Sequence, residues 1–371
     1  MVAQSTQGAI VMSVNKNIIW QQLTNANLVQ GELPATINNE SPWYVKVMLA
    51  FSGWLAALFL MIFVALMLSF IFSSSTEMLS AGLLMISISY LMLHRSSNEF
   101  AQHLALAISL AGQGWATFAL FEMTSKSFAM TWGLVGLMQT ALIMLMPHFI
   151  HRVFSTFIAT LAFSFLLIVS NLPYVFSGVM IFVAAWLWLN EFNYPKHLKT
   201  IHAIGYGIIL ALIPIKGHYF FGNDISDWNY AHNYTYDYSK LWLQPWMGEA
   251  LMGLVVFYLV WKLVQRNVKS LQQPAVLWIF AGTLLLCLAS LEARGLITAV
   301  IILLLGYANS NRVLMGLGII SLLVYISSYY YLLDTTLLNK SFSLMAIGAI
   351  LLALRWLMNR MTIKTSEQNY E

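Results

Sequence analysis

Long apolar runs broken by short polar turns recur along almost the whole chain. The first runs from about Lys46 to Phe72, and after the polar turn Ser73 to Glu77 a second continues to Leu93. Others follow near Ala101 to Phe121, Phe128 to Met146, Val153 to Ser170, Pro173 to Leu189 and His202 to Ile215. Past one long polar and aromatic loop they resume near Met247 to Val264, Ala275 to Leu291, Gly295 to Tyr307, Val313 to Leu333 and Ser343 to Met358. An apolar helix needs ~20 residues to cross the hydrocarbon of a bilayer, and a shorter one must be met by local thinning. The pattern predicts an all-α fold, a polytopic transmembrane helical bundle of about 12 spans, with the short runs leaving the count open by about two.

The remaining segments are polar. Residues 1–42 form a cytoplasmic N-terminal segment in which Ile18, Ile19, Trp20, Leu23, Leu28 and Val29 are spaced for a short amphipathic helix. That helix either docks or senses, or simply packs on lipid and loops. Residues 43–359 read as a single polytopic membrane domain, and residues 360–371 as a cytoplasmic tail. No cleavable signal is expected, because no basic residue precedes an apolar stretch of sufficient length at the start.

Composition supports the bilayer as solvent. Hydrophobic residues make up 60% and charged residues 9% of the chain, with mean hydropathy +0.74, whereas a soluble domain carries about a quarter of its residues charged. The net charge of +4 then reflects cytoplasmic loops rather than a nucleic-acid partner. With the N-terminus inside, Lys126, Lys216, Lys240, Arg294 and Lys340 fall outside, and the other thirteen of the 18 Lys and Arg fall inside. That bias predicts an N-in, C-in membrane protein. Cys287 is the single cysteine, so an intramolecular disulfide or a cysteine metal cluster is excluded.

Three constellations carry candidate chemistry. On the outer face, Glu249, Glu292, Arg294 and Asp334 sit at or just inside span ends. They either line a cavity for a polar solute or a proton, or ring the interface as ordinary charges. The periplasmic aromatic loop, residues 216–245, contains Tyr219, Trp228, Tyr234, Tyr236 and Trp242, a partner- or ligand-binding surface or an interfacial belt. On the cytoplasmic face, His148, His151, His94 and His202 lie at span ends, where a proton or transition-metal site competes with rings resting at headgroup level. Phosphate-binding, zinc-protease and nucleophile-turn motifs are absent from the sequence. No catalytic residue, resident metal or cofactor is expected.

Two runs carry a resemblance. The opening WQQLTNANLVQGELP and PWYVKVMLAFSGWLAALFL, and the closing run from Gly306 to Trp356 with Asn311-Arg312, Tyr329 to Tyr331, Lys340-Ser341 and Arg355, resemble the bacterial inner-membrane family called domain of unknown function 4401. The resemblance covers Trp20 to Met358 and implies no activity. It does imply a membrane-anchored companion protein carrying a Gly-Asp-Tyr-x-x-Leu-x-Tyr motif. Three functions follow as expectations: a non-enzymatic component of an envelope complex, a secondary transporter or proton-coupled permease for a small polar solute, or a membrane-embedded enzyme acting on lipid-linked glycans. The apolar span interiors, nearly free of charge, favour the first.

Overall fold

The computed structural model describes residues 74–95, 99–124, 127–170, 172, 174–220, 245–267, 274–292 and 295–332, with scattered residues from 18 to 67 and from 337 to 352. Contacts divide the chain into two units, Met1–Trp54 and Leu55–Glu371. In the first, the described residues 18, 20–22, 24 and 25 are helical, and the Thr24 hydroxyl donates to the Trp20 carbonyl. All elements below belong to the second unit.

No strand occurs among the described residues, and ten α-helices follow one another: α1 Ser75–Arg95, α2 Glu99–Met123, α3 Phe128–Leu145, α4 Phe149–Val169, α5 Val175–Leu189, α6 Leu198–Phe220, α7 Pro245–Asn267, α8 Pro274–Glu292, α9 Leu296–Ala308 and α10 Arg312–Leu332. They coincide with ten of the twelve expected runs. The first expected run and the last fall largely outside the described residues. Among the described residues, six helices are long and apolar enough to cross a membrane, while α5, α8, α9 and α10 present shorter apolar stretches. The 13 residues of α9 extend only about 20 Å, so α9 falls short of the full hydrocarbon thickness.

The apolar helix surfaces explain why such a chain needs lipid. Leu84, Leu137, Met144, Leu254 and Leu277 are each more than 60% exposed, an arrangement that water would penalise at every position. Between the helices packing is close. Gly82 of α1 faces Gly112 of α2 so tightly that a Cβ at either position would meet the other's carbonyl oxygen at 2.7 Å. Ala105, Ala111, Ala116 and Ala119 of α2 are fully buried. Small residues let two backbones approach where lipid supplies no hydrophobic drive between helices.

Farther along, a larger apolar core joins α5, α6, α7 and α9, with Trp188, Leu212, Met252, Leu259 and Ile301 essentially inaccessible. The turn between α9 and α10 shows how local sequence fixes a hairpin. Ser310 adopts φ 50°, and the Asn311 amide donates back to the Gly306 carbonyl, closing the first helix. The Asn311 side chain then accepts from the Val313 and Leu314 amides and donates to the Tyr206 hydroxyl of α6. One asparagine thus caps α10 and ties the hairpin to its neighbour.

Short turns make successive helices antiparallel, which sorts the polar residues by end. His148, Arg152, His202, Lys262, Arg266 and Arg312 gather at one end, called here the basic end. Glu122, Lys216 and Glu249 lie toward the opposite end.

Candidate functional site

Two polar assemblies are buried inside this apolar bundle. The first lies near the end opposite the basic one. Lys216 on α6 donates to Glu249 on α7 at 2.8 Å, with side chains only 7% and 5% exposed. Proline explains part of the local geometry: Pro214 lies inside α6 and cannot donate a backbone bond to the preceding turn. The Tyr325 hydroxyl of α10 donates to the carbonyls of Leu212 and Ile213 beside it. Tyr325 also lies near enough to Glu249 to feel its charge.

Gly295, which starts α9 at φ 88°, passes flat against the Tyr325 ring. A side chain there would be strained in backbone and crowded by the ring. One Glu249 oxygen is taken by Lys216. The other, Oε2, has no hydrogen-bond partner among the described residues. A carboxylate keeps several acceptor sites, so this face of Glu249 has capacity for a proton or a donor group.

The second assembly spans α2, α3 and α4. Ser109 and Gln113 on α2, Gln139 on α3, and His151 and Ser155 on α4 are each at most 3% exposed. Ser109 Oγ lies 2.7 Å from His151 Nε2, and Gln113 Nε2 lies 3.1 Å from the same nitrogen and 3.2 Å from Ser109 Oγ. Gln139 Nε2 donates to Gln113 Oε1 at 3.0 Å, and Ser155 Oγ lies 3.3 Å from His151 Nδ1. One tautomer satisfies the geometry: Nδ1 protonated toward Ser155 and Nε2 bare, accepting from Ser109 and Gln113. Gln139 Oε1 is buried without a hydrogen-bond partner among the described residues.

The basic end holds further polar contacts. Arg152 donates to the Met146 carbonyl and to Thr200. His202 pairs with buried Glu191 at 2.7 Å and stacks on Trp188. Arg266 donates to the Leu189 carbonyl beside a pocket of about 180 Å³ that Lys262 and Tyr258 also line. His148 precedes α4, and its ionisation is held below the ordinary histidine range, first by burial and then by the charge of His103.

Of the outer-face residues singled out above, Glu249 enters a buried pair with Lys216. Glu292 closes α8, while its side chain, Arg294 and Asp334 lie outside the described residues. Tyr219 stands in the last turn of α6 with its side chain outside them, as are Trp228, Tyr234, Tyr236 and Trp242 in full. The four histidines do not converge. His94 is exposed and stacks on Tyr90, His202 engages Glu191, and His148 and His151 alone stand near each other. Both ring nitrogens of His151 already face protein groups, and among the described residues no three His, Cys, Asp or Glu side chains gather to hold a metal ion.

The family described as Domain of unknown function (DUF4401) matches residues 42–361. The chain belongs to that family. No curated protein and no solved structure matches it. Membership in DUF4401 agrees with the resemblance from Pro42 onward, the run Trp20 to Pro34 lying outside the match, and, with the apolar helices, describes a membrane protein. It assigns no chemistry, so the two buried assemblies carry the functional argument for this DUF4401 chain. Sequence reasoning passed over Lys216, Tyr325, Ser109, Gln113 and Gln139. Gln113 and Gln139 did carry a signal: each is an amide inside an apolar run, a placement that calls for a partner on another helix.

Proposed function

We propose that this chain is a proton-coupled permease for a small polar solute, set in the inner membrane of a bacterium with both termini cytoplasmic. The observation that supports this reading most is the buried Lys216–Glu249 pair between α6 and α7. Charged groups at membrane depth are costly and are kept where they bind or move something. Lys216 engages one carboxylate oxygen of Glu249 and leaves the other without a hydrogen-bond partner among the described residues. A polar solute that displaces Lys216, or a rocking of α6 at Pro214, leaves the carboxylate to take up a proton at its uncommitted oxygen. Proton uptake and solute binding at one carboxylate are thereby linked.

Uptake into membrane vesicles tests this. A panel of labelled amino acids, dipeptides and short organic acids is offered under an imposed pH gradient to vesicles with and without the protein. At least one solute accumulates only with both protein and gradient, and Glu249→Gln abolishes that accumulation. Accumulation of none of them, or transport indifferent to Glu249→Gln and Lys216→Met, counts against the reading.

The companion that the resemblance implies supports a second reading, in which the chain works beside that membrane-anchored protein and docks it through the segment between α6 and α7. Purification in mild detergent at native expression tests it, and recovery of the chain alone argues against it. An enzyme acting on lipid-linked glycans draws no support from the described residues.

A further inference from the structure

The second buried assembly has a property that the permease reading does not use. Its hydrogen bonds form a chain with a direction, running from Gln139 through Gln113 to Ser109 and His151. In the direction seen, every N–H points toward the imidazole, and the bare Nε2 receives them. Gln139 Oε1 stands at the far end with no hydrogen-bond partner among the described residues. Reversing both amides produces the complementary chain. Gln113 Oε1 then faces His151, and Gln113 Nε2 donates to Gln139 Oε1, which gains the partner it lacks. That reversed chain accepts a proton on Nε2, so it fits the imidazolium as the observed one fits the neutral ring.

We infer that His151 is a membrane-buried proton-binding site, and that the Gln113–Gln139 amide pair reverses when the proton arrives. The ligand is a proton from the aqueous phase at the basic end, where His148 stands near His151 and His103 near His148. Binding balances simply: one proton adds to Nε2, no covalent bond is broken, Ser109 Oγ changes from donor to acceptor, and the hydrogen bonds of the two amides exchange direction. The charged and titratable groups around the site are few. His148 and Arg152 flank it on α4, with Arg152 engaged by the Met146 carbonyl and Thr200. His103 stands on α2, and α1, packed against α2, ends in exposed His94 and Arg95. Neither α3 nor α5 contains a titratable residue. On α6, Lys199 is exposed and His202 is taken by Glu191. With so little charge nearby, the amides are the groups that must answer a charge on His151. The inference is independent of the Lys216–Glu249 reading and stands whatever the uptake experiment returns.

Nitrogen NMR on the full-length protein in lipid nanodiscs, labelled in the histidine rings and glutamine amides, tests it, with His151→Gln assigning the His151 signals. At neutral pH the ring is expected as the Nδ1–H tautomer. On acidification the imidazolium signal appears over the same pH interval in which the Gln113 and Gln139 amide resonances move. In Gln139→Met the ring signal and the Gln113 amide no longer change together. Two outcomes overturn the inference: a ring that keeps its neutral tautomer across the whole range in which the protein stays folded, or one that takes a proton while both amides stay still. Both are read on the native protein, so the test survives if the variant fails to fold.

Discussion

The two buried assemblies solve the same problem in opposite ways. Near one end of the bundle, Lys216 and Glu249 bring full charges out of water and rely on each other. Between α2, α3 and α4, four uncharged side chains share their hydrogen bonds around His151. A charge pair is strong in geometry and poor in net stability, because the attraction mainly repays desolvation. A neutral network is cheaper to bury, yet each member leaves others unsatisfied if it is removed. The difference teaches where each assembly breaks: the pair fails when one partner goes, and the network fails at its centre.

The largest effect is expected from splitting the pair. Lys216→Met leaves Glu249 buried without its cation and costs about 3–5 kcal/mol, read as a loss of unfolding free energy in detergent. The double change Lys216→Met with Glu249→Leu restores most of that stability, while gradient-driven uptake stays absent. Equal stability in the single and double variants would show that the pair is not coupled. Next comes the centre of the network. Gln113→Leu removes a donor to Ser109 and His151 and the acceptor for Gln139, at about 1–3 kcal/mol in the same measurement. A loss as large as that of Lys216→Met would erase the contrast between charged and neutral burial.

Tyr325→Phe should cost less, about 0.5–1.5 kcal/mol, since the ring still packs on Gly295 and only the bonds to the Leu212 and Ile213 carbonyls disappear. An unchanged stability would place those carbonyls in other hydrogen bonds. The smallest effect concerns pH. Because burial and His103 hold His148 below its ordinary value of 6.5, the folded state resists protonation there while the unfolded chain accepts it. Stability contributed by neutral His148 therefore declines as pH falls through about 6.5 and levels off below the lowered value. His148→Gln should flatten that part of the stability curve. A curve that His148→Gln leaves unaltered would show that His148 is equally solvated in both states.

Much of the fold was legible along the chain and little of either site. Runs such as Phe128 to Met146 announced α3 within a residue or two, since an apolar stretch that long has one stable form in lipid, where every backbone group must be bonded within its own segment. Glu249 stood out as a carboxylate at membrane depth, but its partner did not. Lys216 looked like the first residue of an exposed loop, whereas α6 continues past it to Phe220. His151 was grouped with His148, His94 and His202 by their position at span ends. Position at span ends could not show its hydrogen-bond partners, and the faces of α2 and α4 supplied them.

What the sequence determined alone is the class of solvent, the helical form, and the segregation of basic residues toward alternate turns, because these follow from hydropathy and backbone satisfaction, which act locally. What only the tertiary structure decided is which buried polar atoms meet. That depends on the rotation of each helix about its axis and on the close approach allowed at contacts such as Gly82–Gly112, and a nearly uniform apolar run does not encode either one by its composition. The Lys216–Glu249 bond joins residues 33 apart, and the Ser109–His151 bond joins residues 42 apart. Each exists because packed helices leave a polar group no water to turn to and one neighbour within reach.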